Sequence, residues 1–145
     1  MRTIPAGRYY LDANVFIYAV ENHPRFSLAA RHVLSLMGRD GRVGVTSELT
    51  LAEILVKPLR DGKSDQVQIY GEMVVNTGAL EVLGVSRSLL RVAAEIRACS
   101  VIKLADAIHI ATARLGHCTM VVTEDARLRS AALLAAMSLH EIGGA

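Results

Sequence analysis

Aromatic side chains are scarce in this sequence: Phe, Trp and Tyr make up 4% of it, and Trp is absent. A protein that grips single-stranded nucleic acid by stacking bases on exposed rings needs a supply of such rings. That mode is excluded, so any nucleic acid bound must be held by its backbone. Cysteine is rare too. Cys99 and Cys118 are the only two; they form no CxxC, and two thiols without histidines at matching spacing do not build a four-ligand zinc site. His117 adjoins Cys118, but neighbours on a regular element point in different directions. Both cysteines are expected to be reduced, partly buried small hydrophobes. No apolar run approaches the roughly 18 residues of a membrane span, and MRTIPAGRYYLD lacks the apolar segment of a secretion signal. The expectation is a soluble, cytoplasmic protein without a membrane partner. A strong charge excess is missing as well. The net charge of +2 neither suggests nor excludes a nucleic-acid partner.

What is present is a globular composition. The chain has 145 residues, of which 52% are apolar and 21% charged, which fits a single domain spanning residues 1–145. A chain of this size buries roughly 68–70% of its unfolded surface, enough for an aliphatic core without staples. Basic residues fall in small groups, Lys57 with Arg60 and Lys63, Arg39 with Arg42, and Arg127 with Arg129. An ordinary mixed surface accounts for any one of them.

Short β-rich runs alternate with longer helical patterns. Strands are expected at Tyr9–Leu11, Val43–Thr46, Leu80–Val85 and Thr119–Thr123, with a fifth at Leu139–Ile142. Helical spacing marks Ser27–Met37, Arg87–Ala98 and Leu104–Leu115, the last closed by Gly116. Gly38 and Gly41 bracket a turn, and Ser47 caps a helix expected to end before Pro58. Val43–Val45 and Met120–Val122 show little polar alternation, as suits strands covered on both faces. The fold class is therefore α/β, a parallel sheet of four or five strands between two layers of helices. In such sheets function gathers at the carboxyl ends of the strands, where strand order reverses.

Four acids stand at that edge. Asp12 follows the first strand, in YYLDANVFIYA; Glu53 lies on the helix after the second, in TSELTLAEILVKP. Asp106 opens a nearly apolar helix, KLADAIHIATARL, and Asp125 follows MVVT. Each alone has an ordinary role: Asp12 as a helix cap, Glu53 as a partner for Lys57 one turn on, Asp125 as a first-turn acid. Asp106 is harder to explain so, because little of its helix can face water and a charge there needs a partner. Two carboxylates about 4 Å apart repel by about 4 kcal/mol at an effective dielectric near 20. A cluster of such groups calls for a cation, and no basic residue lies immediately beside Asp12, Asp106 or Asp125 except Arg127, two positions past the last. Oxygen ligands suit Mg²⁺ or Mn²⁺, which would activate a water against a phosphodiester.

LDANVFIYA, TLAE, LADAIHIATA and VTEDARL closely resemble, in order and spacing, the four motifs of the PIN-domain nucleases, especially the VapC-type toxins of toxin–antitoxin pairs. The resemblance runs from about Tyr9 to Leu128. It implies a metal-dependent endoribonuclease in which Asp12 and Asp106 are the principal ligands of Mg²⁺ or Mn²⁺. It also implies that Glu53 and Asp125 complete the catalytic acids, while Asn14 and Thr123 support the first. Implied partners are an RNA substrate, a cognate antitoxin protein and a second copy of the chain in a homodimer. Three departures are notable: Ala13 where Thr is usual, Ala105 where Pro is frequent, and Glu124 where Asn is frequent, placing extra charge by the site. His109 matches a position often occupied by His, and a packing or supporting role is expected of it. A nuclease that is no toxin, and an interaction module whose acids bind metal structurally, remain open beside the toxin reading.

Overall fold

The computed structural model describes residues 2–131 and 135–143. Its elements, in chain order, are β1 (Gly7–Leu11), α1 (Ala13–Val20), α2 (Ser27–Leu36), β2 (Arg42–Ser47), α3 (Glu48–Arg60), α4 (Ser64–Met73) and β3 (Leu80–Leu83). They continue as α5 (Arg87–Ala98), α6 (Leu104–Leu115), β4 (Met120–Val122), α7 (Ala126–Ala131), β5 (Ala135–Met137) and α8 (Leu139–Gly143). The five strands are parallel, in the order β3-β2-β1-β4-β5. The chain thus steps outward from β1 to β2 and β3, then crosses back to lay β4 and β5 on the other side of β1. Strand order reverses between β1 and β4, where Leu11 lies beside Val122.

Helices cover both faces, and the strand pleat divides the core between them. Tyr9, Leu11, Val82 and Val122 pack on one face with Val15 and Phe16 of α1, Val33 of α2 and Ile54 of α3. Tyr10, Val45 and Val121 point to the other, against Leu89 and Ala93 of α5 and Ile108, Ile110 and Ala111 of α6. Val15 and Phe16 are essentially inaccessible, and full burial of such a side chain contributes about 1.5–3 kcal/mol. The start of α1, and with it Asp12, is held by that packing. Gly44 keeps β2 close to its neighbours: a Cβ there would meet Leu11 at 3.0 Å and Leu80 at 3.1 Å. Gly38 turns the chain into β2 with φ at +84°, a region open to glycine at little steric cost.

Three expectations need correction. The last strand is Ala135–Met137, whereas Leu139–Ile142 is helical. Alanine is a poor strand former, yet pairing beside β4 decides the matter. The following SLHE is a reciprocal cap: the Glu141 carboxylate accepts from Ser138 N–H, and the Ser138 hydroxyl accepts from Glu141 N–H. Helix α3 does not stop before Pro58 but runs to Arg60. Only the last turn lies beyond Pro58, so a single ladder bond is lost, and the ring is buried. Helix α4, not foreseen, shows the sequence little periodicity because Tyr70 is its one buried residue. Among the described residues no helix is long and apolar enough to cross a membrane.

Candidate active site

Asp12 is the first residue beyond the central strand and caps α1. Its side chain is buried at 7% exposure. Oδ1 accepts from the Ala13 N–H at 2.8 Å, and Oδ2 accepts from the Thr123 hydroxyl at 2.7 Å. Thr123 follows β4, so this bond closes the crevice where strand order reverses. The Thr123 oxygen in turn accepts from the Asp125 N–H at 3.0 Å, and Asp125 Oδ1 accepts from the N–H groups of Arg127 and Leu128 at the start of α7. Burial raises the Asp12 carboxyl above the ordinary Asp range, despite the Thr123 and Ala13 hydrogen bonds and nearby His109.

Glu53 arrives from α3 and does not pair with Lys57, which instead meets Glu21 at 3.2 Å. Its Oε1 lies 2.6 Å from Nε2 of His109 on α6. His109 Nδ1 in turn lies 2.5 Å from the Tyr10 hydroxyl, and both His109 and Tyr10 are buried. Burial opposes a proton on His109, but Glu53, Asp12 and Asp106 outweigh it and raise the ring above its usual value. His109 is thus the basic side chain lodged among the acids, and it touches two elements besides its own. Sequence reading gave it a packing or supporting place; its two partners were not foreseen. Behind it, the Thr46 hydroxyl donates to Leu11 C=O at 2.9 Å and contacts the Thr50 hydroxyl at 2.8 Å. These buried groups stiffen the strand ends that carry Asp12.

Asp106 lies in the first turn of α6, one helical step before His109. Burial raises its carboxyl, reinforced by the charges of Asp125 and Glu53 and offset in part by His109 and Lys103. Glu53 thus bears on both Asp12 and Asp106, and Asp125 on Asp106, at a single edge of the sheet. Asn14 sits at the same edge, but its side chain makes no hydrogen bond seen among the described residues. Ala13 supplies its N–H to Asp12 and no hydroxyl. Glu124 does not project its charge freely beside the acids: its Oε1 accepts from the His140 N–H at 3.0 Å, at the start of α8.

Among the described residues, no three His, Cys, Asp or Glu side chains are gathered so as to cage an ion by themselves. The donor set suits a different kind of site. Oxygen ligands are all carboxylate, and Asp106 is burdened by its acidic neighbours. Mg²⁺ and similar hard cations are commonly bound by one or two carboxylates together with waters and substrate phosphate. Asp12 and Asp106 fit that pattern.

A family model, the PIN domain, matches residues 9–134. The chain belongs to the PIN-domain family. Solved structures with the same fold include VapBC2 from Rickettsia felis, bound to a promoter DNA fragment, at 20% identity and a TM-score of 0.71, covering 90% of this chain and 98% of that one. VapBC from Salmonella typhimurium, also DNA-bound, is 19% identical with a TM-score of 0.71, covering 91% and 98%. VapC20 from Mycobacterium tuberculosis, described as a toxin that cleaves the sarcin–ricin loop, is 16% identical with a TM-score of 0.70, covering 85% and 94%. At these identities the likeness is one of fold. No protein with a curated description matches the sequence.

Proposed function

We propose that this PIN-domain protein is a Mg²⁺- or Mn²⁺-dependent endoribonuclease and the toxin of a VapBC-type toxin–antitoxin pair. The observation that carries the reading is the placing of Asp12, Glu53, Asp106 and Asp125 at the carboxyl edge of the sheet, with Glu53 close enough to burden both Asp12 and Asp106 while it meets His109. Asp12 and Asp106 would hold the metal, and Glu53 and Asp125 would complete the acidic set beside it. When bound, the cation polarises a phosphoryl oxygen and acidifies the attacking water. Thr123 holds Asp12 in place, and His109 holds Glu53. The scarcity of aromatics agrees with a substrate held by its phosphates rather than by stacking.

The toxin assignment draws support from the fold neighbours, one of them described as a toxin–antitoxin complex and others as VapBC proteins. A cognate antitoxin silences the enzyme by bringing a basic side chain to the surplus carboxylates; Arg, with its planar fork, suits them best. The working enzyme is a cytoplasmic homodimer. Purified protein is expected to cut single-stranded RNA with Mg²⁺ or Mn²⁺, to stop in EDTA, and to lose nearly all activity as Asp12→Asn or Asp106→Asn. Expression alone should arrest growth, and co-expression with the neighbouring gene product should yield a stable inactive complex. Full activity in EDTA overturns the metal mechanism. Harmless expression with no binding neighbour overturns the toxin role and leaves the nuclease.

A further inference from the structure

Beside Asp106 a cleft of about 700 Å³ opens between the loop that joins α5 to α6 and the helix α7. Its size falls within the range of sites that hold a small ligand. Lys103 and Arg127 lie on its rim, Val101 and Ala126 give it an apolar wall, and Ser100 and Ser130 line it with hydroxyls.

Three observations set this cleft apart. First, Lys57 is engaged with Glu21, Arg60 with Asp61, and Arg42 with Ile4 C=O and Asp40, and none of Arg39, Lys63 and Arg129 lines the cleft. Lys103 and Arg127 enter no ion pair among the described residues, although they stand next to a crowd of acids. Second, Val101 is fully exposed, an apolar side chain presented to solvent at the mouth of the cleft. Third, both serine protons are already committed. Ser100 Oγ donates to Ile96 C=O at 2.9 Å, and Ser130 Oγ donates to Ala126 C=O at 3.0 Å. Their oxygens remain as acceptors only.

We infer that this cleft is a nucleotide subsite for single-stranded RNA, seating the residue next to the phosphate that lies over Asp106. Lys103 and Arg127 neutralise the flanking phosphate. Val101 and Ala126 offer a flat apolar contact to one base, and the serine oxygens accept from N–H groups on its edge. A paired base cannot enter, because its edge and faces are covered in the duplex, whereas an unstacked base in a loop or single strand is free to. The inference rests on the nuclease reading for the identity of the neighbouring phosphate, and it adds the side from which the strand is gripped.

The test uses the full chain carrying Asp12→Asn, so that a fluorescent single-stranded RNA is bound without being cut. Affinity is titrated over salt for this protein and for versions that add Lys103→Met, Arg127→Met or both. A remote control adds Arg39→Met. Each lost phosphate contact on a single strand lowers the slope of log affinity against log salt by about 0.7. The inference expects a drop of about that size in the double variant, shared between the two cleft cations, none from Arg39→Met, and unchanged melting temperatures throughout. In the otherwise wild-type enzyme the double variant should raise KM with kcat little changed, the mark of lost uniform binding. Unaltered slopes in the double variant overturn the subsite, as they would if the cleft took an acidic peptide instead. Slopes that fall as expected, with no cleavage by the wild-type chain in either metal, uphold the subsite and overturn the nuclease reading.

Discussion

His109 Nε2 stands 2.6 Å from Glu53 Oε1 although the two residues are 56 positions apart. The contact ties α3 to α6 and brings an acid from one side of the sheet to a buried ring on the other. The ring is itself held from behind by the Tyr10 hydroxyl at 2.5 Å. Tyr10→Phe keeps the packing and removes only that hydroxyl, leaving a ring nitrogen buried without its partner. An unsatisfied buried polar group costs about 1–3 kcal/mol. The urea midpoint is expected to fall accordingly with the m-value unchanged, and turnover should fall with it as Glu53 loses its fixed anchor. A variant equal to wild type in both respects would show that Tyr10 does not position the ring.

Metal should act on stability as well as on turnover. A cation that binds only the folded chain stabilises it by about 2.7 kcal/mol at 100 times its Kd. Mg²⁺ or Mn²⁺ is therefore expected to raise the melting temperature of the wild type and not that of Asp106→Asn. Without metal, Asp106→Asn should melt slightly above the wild type at neutral pH, because it removes a charge that burial, Asp125 and Glu53 disfavour. Equal metal-induced shifts in the two proteins would place the cation elsewhere.

Away from that edge, Glu21 behaves in the opposite sense. Burial opposes its charge, but the Tyr70 hydroxyl, Lys57 and Lys63 together hold the carboxyl below the ordinary Glu range. A group depressed in the folded state favours folding above its unfolded pKa, and that contribution fades as pH falls through the folded value. Glu21→Gln should thus be less stable than wild type at pH 7, and the gap should narrow in acid below about pH 4. Denaturation curves at the two pH values measure it. A gap that widens in acid would refute the assignment.

The cysteines offer a simple chemical check. Cys99 is exposed, whereas burial pushes the Cys118 thiol up to about 12. The thiolate is the reactive form. A thiol reagent at pH 8 should modify one site per native chain, lost in Cys99→Ser, and reach Cys118 only on unfolding. Native labelling of both would mean that the buried surroundings of Cys118 open in solution.

Legibility from sequence followed the range of the forces involved. Helix α6 was read with its observed bounds because an almost unbroken apolar surface marks it and Gly116 ends it. The edge carrying Asp12, Asp106, Thr123 and Asp125 was legible because each residue follows a strand or opens a helix, a local fact. The pairing of Glu53 was not. Lys57, one turn along α3, was the nearest candidate in sequence, and only the crossing of helices replaces it with His109. Strand β5 was missed for a related reason: an alanine-rich stretch becomes a strand through a neighbour already in place, and no pattern of its own announces it. The reciprocal cap at Ser138 and Glu141 was written in SLHE and went unread.

The hydrogen bond from Thr123 to Asp12 spans 111 positions, and this has a consequence during synthesis. A ribosome releases Asp12 well before Thr123, so the hydroxyl that fixes it arrives only after β4. Asp106 and Asp125 also come late. Domains generally fold as units while the chain emerges from its amino end, so a partly made chain has β1, β2 and β3 without a finished acidic edge. The acids of that edge are thereby kept apart until the chain has passed β4. Premature termination anywhere before β4 yields a product unable to assemble the site, and completion of the chain acts as its own safety catch.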